Sequence, residues 1–566
     1  MSAPSHLDSS AQRGPPSTSD FDDKSDMHVV PLAEKQGVVA DAAASSSEAP
    51  KEQEVITGWR LNLVFGALGL VAFLMLLDIS IVATAIPRIT SDFHSLEDVG
   101  WYGSAYLLAN CALQPLAGKV YTHFHSKAAF LGFFALFELG SLLCGVSNSS
   151  KMLIVSRAIA GMGGAGLMNG ALTIIAVAVP LHKRPVYMGG MMGVAQMGVV
   201  VGPLLGGAFT QYTTWRWCFY INLPIGAVVA LLLILIRIPD NVKTRTESVW
   251  QTILNNFDLV GFVLFAPAVI MFLLALEWGG NTYDWNSATI IGLFCGAVVL
   301  FGIFIAWEAH VGAKAMIPLS LFKIQAVWAA CAYVFFLFSA MQLVVYYLPI
   351  YFQAVKDTSP MISGVDLLPS ILSQLIATLG SGALITKIGY YLPFAVLSSI
   401  VTTIGHGLLT LLEPNSSIGI WIGFQIVVGF GRGLGLQTPF IALQNNVEPQ
   451  LISIATSTMT FTQTFSGAVM LSMAQTVFTS SLRELIPQYA PGVSAQKVIA
   501  AGATGVWATI TDPTQLAEVL VAYNISIRRV YYVAIGFTGA CFIISWFLGW
   551  KDIRKKPTPK AGAEQA

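Results

Sequence analysis

Charge is what this sequence has least of. Of its 566 residues only 11% are Asp, Glu, Lys or Arg, where soluble domains average about 25%. Hydrophobic residues make up 55% and the mean hydropathy is +0.68. So few charges cannot cover a water-facing surface, which excludes a soluble globular protein and leaves a polytopic membrane protein. The 30 basic and 30 acidic residues balance, so there is no basic footprint for nucleic acid. Six cysteines (Cys111, Cys144, Cys218, Cys295, Cys331, Cys541) all fall in apolar segments. They have neither metal-ligand spacing nor the pattern of a disulfide framework. No GxxxxGK[ST] loop is present, which excludes a P-loop ATP engine. Gly161, Gly163 and Gly166 match the GxGxxG dinucleotide pattern, but no strand precedes them and the match is accidental. His123 and His125 stand alone in a short loop. Nothing resembles a nucleophile, a metal site or a cofactor fingerprint, so the expectation is no enzyme and no cofactor. Any transport draws on an ion gradient.

What the chain has in abundance is long apolar runs. Residues 1–58 are rich in Ser, Ala, Asp and Glu and read as a disordered cytosolic tail. After them, segments near the length of about 20 residues that crosses a bilayer recur at 61–86, 100–120, 127–146, 152–179, 186–210, 218–237, 258–276, 287–307, 326–349, 360–384, 389–412, 417–443, 449–477 and 530–550. This predicts an all-α protein of fourteen transmembrane helices. An even count puts both termini on one side. With the termini cytosolic, Lys183, Arg184, Arg237, Lys243, Arg245, Lys314, Lys323, Lys387 and the basic tail 551–566 fall inside, as the positive-inside rule requires. A long loop at about 478–529 then lies outside. The sequons at Asn148, Asn415 and Asn524 also fall outside, and Asn524 is the best-placed glycan acceptor of the three.

Two features argue for a repeat and a mechanism. Gly382 to Gly389 (GALITKIG) and Leu116 to Tyr121 (LAGKVY) are both Gly-plus-Lys runs after the second helix of a six-helix set. They predict helices 1–6 (59–240) and 9–14 (326–550) as two bundles, with helices 7 and 8 inserted in the linker 241–325. Such paired halves place a substrate site between them near mid-membrane. In helix 5, Gly198, Gly202 and Gly206 recur every four residues around Pro203, with Gly193 and Gly207 at the flanks. They form a face on which a neighbouring backbone can approach closely. That face is either a tight packing surface or a sliding contact.

Ionisable groups inside a membrane are costly. Asp78, Glu138 and Arg157 lie at similar depth in helices 1, 3 and 4. They predict a mutually compensating cluster, serving either as a structural pair or as a site that takes up and releases a proton. In the second half, Asp366 and Arg432 are the comparable outliers. Gln342, Tyr346, Tyr347, Gln374, Gln437, Gln444, Thr460 and Gln463 are the aromatic, amide and hydroxyl groups suited to a mostly apolar cavity. Each serves helix packing or a large, weakly polar ligand. No anion clamp is evident.

Together, LLDISIVATAIPRIT in helix 1, RAIAGMGGAG in helix 4, GVVVGPLLGG in helix 5 and WRWCFYINLPIG at 215–226 resemble the major facilitator superfamily. The likeness is strongest to its fourteen-span drug:proton antiporters, and among those to fungal toxin and multidrug efflux pumps. It spans about 59–550. It implies two rocking six-helix bundles, proton coupling at Asp78 with Arg157, an antiporter motif at Gly193, Gly198, Gly202, Pro203, Gly206 and Gly207, and export of a small amphipathic or apolar molecule. It implies a monomer in contact with lipid, at the plasma membrane or alternatively a vacuolar or vesicle membrane. An importer of siderophores or small metabolites, or a vacuolar basic amino acid carrier, is the alternative within the same superfamily. The loop between helices 2 and 3 departs from the family pattern. GKVYTHFHSK keeps Gly118 but loses the acid and most of the basic pair, which puts the usual cytosolic latch in doubt.

Overall fold

The computed structural model describes residues 58–95, 98–236, 238, 248–280 and 282–554. The expected tail, Arg237, Lys243, Arg245 and the last basic residues lie outside them. The described chain is helical, with one isolated bridge between Gly279 and Tyr283.

Its long helices are α1 (Trp59–Phe93), α2 (Val99–His123), α3 (Ser126–Gly145), α4 (Ser150–Ala178), α5 (Arg184–Tyr212), α6 (Asn222–Leu235, after a short turn Trp217–Tyr220), α7 (Leu259–Trp278), α8 (Ala288–Val311), α9 (Gln325–Ile350), α10 (Leu368–Ile388), α11 (Leu392–Leu409), α12 (Ile418–Gly435, continued by Thr438–Asn446), α13 (Ile452–Tyr489) and α14 (Pro513–Ser545). Their starts use ordinary capping chemistry, in which a side-chain oxygen accepts an orphan backbone donor. Ser149 takes Met152 N at 3.3 Å, Asp258 takes Gly261 N at 2.7 Å, and Ser287 takes Ile290 N at 3.3 Å. Gly389 ends α10 at φ 89°, in the left-handed region that glycine enters without steric cost.

Among the described residues, 12 helical stretches are long and apolar enough to cross a membrane. Helices α2 and α13 stand at the second and thirteenth expected positions but fall outside that set. The reason is packing. They lie against each other, and Gln114 Nε2 of α2 donates to Thr464 Oγ1 of α13 at 3.1 Å. Helices that face helices need less apolar surface than helices that face lipid.

Helices α1–α6 pack mainly with one another, α9–α14 likewise, and α7 pairs with α8. The loose sequence repeat corresponds to a repeated contact. A Cβ on Gly118 of α2 would come within 2.9 Å of Ser457 Cβ and 3.1 Å of Ile454 Cα in α13. A Cβ on Gly382 of α10 would come within 2.7 Å of Pro185 O in α5. In each six-helix group the second helix thus presses a glycine against the fifth helix of the other. α7 lies over the α2–α13 seam, with Phe265 against Phe461 (5.1 Å between ring centres), Phe272 against Phe465 (5.5 Å) and Trp101 against Trp278 (5.9 Å). Lys119 Nζ of α2 donates to Lys314 O at 3.0 Å. In this chain the altered loop motif ties α2 to the segment after α8.

The expected outer loop at 478–529 is largely helix instead. α13 runs on to Tyr489 and α14 begins at Pro513. Between them lies a short helical stretch, Ala495–Thr509, broken at Gly502. Buried Leu482, Leu485 and Ile486 give the extension of α13 an apolar side. Arg529 ties it to α14 through Glu484 at 2.6 Å, and that hydrogen bond and charge hold the Glu484 carboxyl below its ordinary value. The loop expectation failed because amphipathic helix dilutes hydropathy without ending the helix.

Candidate functional site

The first six helices enclose a charged group. Arg157 of α4 and Asp78 of α1 form an ion pair at 2.6 Å, their side chains 2% and 1% exposed. Arg157 Nε also donates to Tyr102 O at 3.0 Å, and the guanidinium lies 4.6 Å from the Tyr106 ring centre. A buried charge needs both a counter-ion and hydrogen bonds, and this arginine has both. The second carboxylate oxygen, Asp78 Oδ1, accepts from Asn222 Nδ2 at 3.3 Å, and the same amide nitrogen donates to Ser141 Oγ of α3 at 3.1 Å. Four helices therefore meet at one carboxylate.

Glu138 departs from the expected cluster. It sits on α3 beside Gly226 of α6, and neither of its carboxyl oxygens has a hydrogen-bond partner. It is not bonded to Arg157. One turn along α3, Ser141 takes the place next to Asp78 through Asn222, so the compensating group is Asp78, Arg157 and Asn222. Asn222 was legible only as part of WRWCFYINLPIG. An amide near a helix start reads as a cap, and its role needs the third dimension.

The glycine face of α5 also differs from the sliding-contact reading. Gly198, Gly202 and Gly206 face α1 of the same group, not the other half. A Cβ on Gly202 would meet Ser80 Cβ at 2.8 Å and Ile81 N at 3.0 Å, and one on Gly206 would meet Ile81 O at 2.8 Å. Ser80 Oγ donates to Gly198 O at 3.0 Å across this contact. Pro203 lies within the helix and Gly207 has nothing within 4 Å. Other residues of α5 touch the other half, two near its start and Pro203 farther along, where a Cβ on Gly364 would lie 3.8 Å from Pro203 Cβ. Gly193 abuts Leu375 of α10, and a Cβ on Gly189 would lie 2.6 Å from Gln437 Oε1. A four-residue period reveals a face, not which neighbour it meets.

The second-half candidates do not converge on one hydrogen-bonded group. Tyr347 donates to Gln475 Oε1 at 3.2 Å, while Tyr346 is exposed. Gln342 packs near Gly467. Gln437 Nε2 binds Ser381 Oγ at 3.1 Å, and Thr460 donates to Ser457 O at 3.0 Å. Gln374 is buried with its Nε2 unpartnered, and Gln463 is half-buried. Asp366 is half-buried near the start of α10, where its backbone oxygen accepts from Gln425. Arg432 donates from Nη2 to Ser370 Oγ at 2.5 Å, and its Nε and Nη1 have no partner. Gln444 Oε1 accepts from Arg184 Nη1 at 3.3 Å, which links the halves at the expected cytosolic end. Arg184 also binds Val179 O at 3.0 Å and Ala176 O. The first half contributes polar groups that sequence reasoning passed over. Asn110, Gln114, Asn169 and Thr173 are all buried in α2 and α4, and their signal was an amide or hydroxyl inside an apolar run.

Of the sequons, Asn148 is exposed in the link between α3 and α4 and Asn415 is exposed in a turn. Asn524 is not the best-placed acceptor that the sequence suggests. It is buried inside α14 and its Nδ2 donates to Leu412 O at 2.8 Å, so its amide is not available to carry a glycan.

The profile of the Major Facilitator Superfamily matches residues 68–322. The chain is 55% identical over 511 residues to the MFS-type transporter pigP of Monascus ruber, covering 90% of each chain. It is 52% identical to the efflux pump mlcE of Penicillium citrinum, covering 90% of this chain and 94% of that one. To the efflux pump aflT of Aspergillus parasiticus it is 42% identical, covering 90% and 99%. Among solved structures, the proton:xylose symporter XylE aligns at TM-score 0.56 and 14% identity over 87% of this chain and 97% of that one. The human organic anion transporter MFSD10 aligns at TM-score 0.54 and 12% identity over 87% and 100%. These two likenesses concern the fold alone.

Proposed function

This chain belongs to the major facilitator superfamily, and we propose that it is an efflux pump exporting an apolar or amphipathic secondary metabolite in exchange for protons. The observation that carries the proton part is the Asp78–Arg157 pair, enclosed and hydrogen-bonded at 2.6 Å where four helices meet. Intramembrane ionisable pairs of this kind mark proton relays in transporters. Export is supported by the names of relatives 52% and 42% identical along nearly their whole length.

In this mechanism Asp78 takes a proton from the outer side, which weakens its hold on Arg157 and frees α1 and α4 to shift relative to each other. Loss of the proton inside restores the pair. The close contacts of Gly118, Gly382 and Arg184 form the cytosolic closure, and opening it exposes the space between the halves to substrate. Arg432 and the buried amides of α2, α4, α10 and α12 supply sparse polar groups for an otherwise apolar ligand. The α5 glycine face locks α5 to α1, so the antiporter motif carries movement of the Asp78 helix to the contact with α10. The pump resides in the plasma membrane as a monomer with both termini cytosolic.

The test is accumulation of a compound panel (fungicides, polyketide toxins and a ferric siderophore) in a transporter-deficient fungal host. Lower accumulation of an apolar compound, abolished by a protonophore, is the expected result. Raised siderophore accumulation with no effect on the others would make the chain an importer.

A further inference from the structure

Asn222 is fully buried, and it is bonded on one side only. Its Nδ2 donates to both Asp78 Oδ1 (3.3 Å) and Ser141 Oγ (3.1 Å), while its Oδ1 has no hydrogen-bond partner. A carboxylate is acceptor-only, so the amide must turn its NH2 toward an ionised Asp78. A protonated carboxyl has the opposite need, because its new O–H must find an acceptor or remain buried and unsatisfied. An unpartnered acceptor lies on the same amide, half a turn of the side chain away. Ser141 can follow, because a hydroxyl donates or accepts with equal ease.

We infer that Asn222 is a positioning residue that holds Asp78 in both protonation states by turning its amide. With Asp78 ionised, Nδ2 faces Oδ1. When a proton adds to Asp78 Oδ1, the amide reverses. Asp78 then donates to Asn222 Oδ1 and Ser141 donates to that same oxygen, while the amide NH2 gives up both of its present acceptors. One proton is gained and no other covalent bond changes. The other titratable groups within electrostatic reach of Asp78 are its partner Arg157 on α4, Tyr106 on α2, Glu138 and Cys144 on α3, and Cys218 before α6. Arg157 cannot make this reversal, since a guanidinium only donates. The inference rests on the reading that Asp78 carries the transported proton, and it adds that the start of α6 senses that proton.

The test is infrared difference titration of the purified full chain, which needs no substrate. The carboxylic C=O band of Asp78 is the one lost in Asp78→Asn. The expected result is that this band titrates together with an amide band that is lost in Asn222→Leu. In Asn222→Leu the Asp78 midpoint moves upward by roughly half to one pH unit, since a charge-assisted bond exceeds a neutral one by about that much. Asn222→Ser keeps a hydroxyl that can donate or accept. It gives a smaller shift, and it carries the test if the leucine variant does not fold. An unchanged midpoint in a folded variant, or an amide band silent while Asp78 titrates, overturns the inference and leaves the proton reading intact. Absence of any Asp78 band between about pH 4 and 9 overturns the proton reading itself.

Discussion

Replacing Arg157 by leucine separates the structural from the transport role of the buried pair. At 2.6 Å, two unit charges attract by about 6 kcal/mol at an effective dielectric of ~20, and desolvation of both groups offsets most of that. The net worth of the pair is small, but breaking it is not. Arg157→Leu strands the Asp78 carboxylate at 1% exposure with the Asn222 bond alone, a loss of about 3–5 kcal/mol. Asp78→Asn is milder, because Arg157 keeps Tyr102 O at 3.0 Å and the Tyr106 ring at 4.6 Å. The double variant Asp78→Asn/Arg157→Leu leaves no charge behind. It should regain much of the stability lost in Arg157→Leu, with a coupling energy of about 2–3 kcal/mol, yet show no proton-coupled transport. Thermal unfolding of the four detergent-purified proteins measures this. Strictly additive losses would refute the argument that the arginine is needed to compensate the aspartate.

Other expectations follow from the same contacts. Gly202→Ala should lower the thermal midpoint by the equivalent of about 1–3 kcal/mol through overpacking against Ser80 and Ile81, while Gly207→Ala, with nothing within 4 Å, should be close to neutral. Equal effects would contradict the α1–α5 packing. Arg184→Ala should open the expected cytosolic end, raising maleimide labelling of Ser457→Cys several-fold in a background with the exposed Cys295 replaced by alanine. Unchanged labelling would remove Arg184 from the closure. Asn524→Gln should leave electrophoretic mobility unaltered, because that amide is buried against Leu412 O. A mobility shift matching enzymatic deglycosylation would show otherwise.

Helix order was legible because lipid demands long apolar runs, though among the described residues 12 helices rather than fourteen are long and apolar enough to cross a membrane, and the Asp78–Arg157 pair was legible because charges there are conspicuous. What was not legible depended on neighbours. Gly202 and Gly206 announce a close approach, but nothing local says that α1 makes it. Glu138 lies at the depth of Asp78, yet the helix turn aims Ser141 instead at Asn222. The polar faces of α2 and α13 lower their hydropathy because each covers the other. Asn524 matches a sequon, but α14 begins at Pro513, well before the apolar run, and carries it indoors.

The proposed export mechanism stands on Asp78 coupling proton movement to substrate. Its most direct test is proton flux in proteoliposomes holding the full chain, driven by a gradient of whichever compound the accumulation panel identifies, for the wild type and Asp78→Asn. The expected result is that the substrate gradient drives opposing proton movement in the wild type, and none in Asp78→Asn even though the compound still binds. Equal proton flux in both proteins would contradict it.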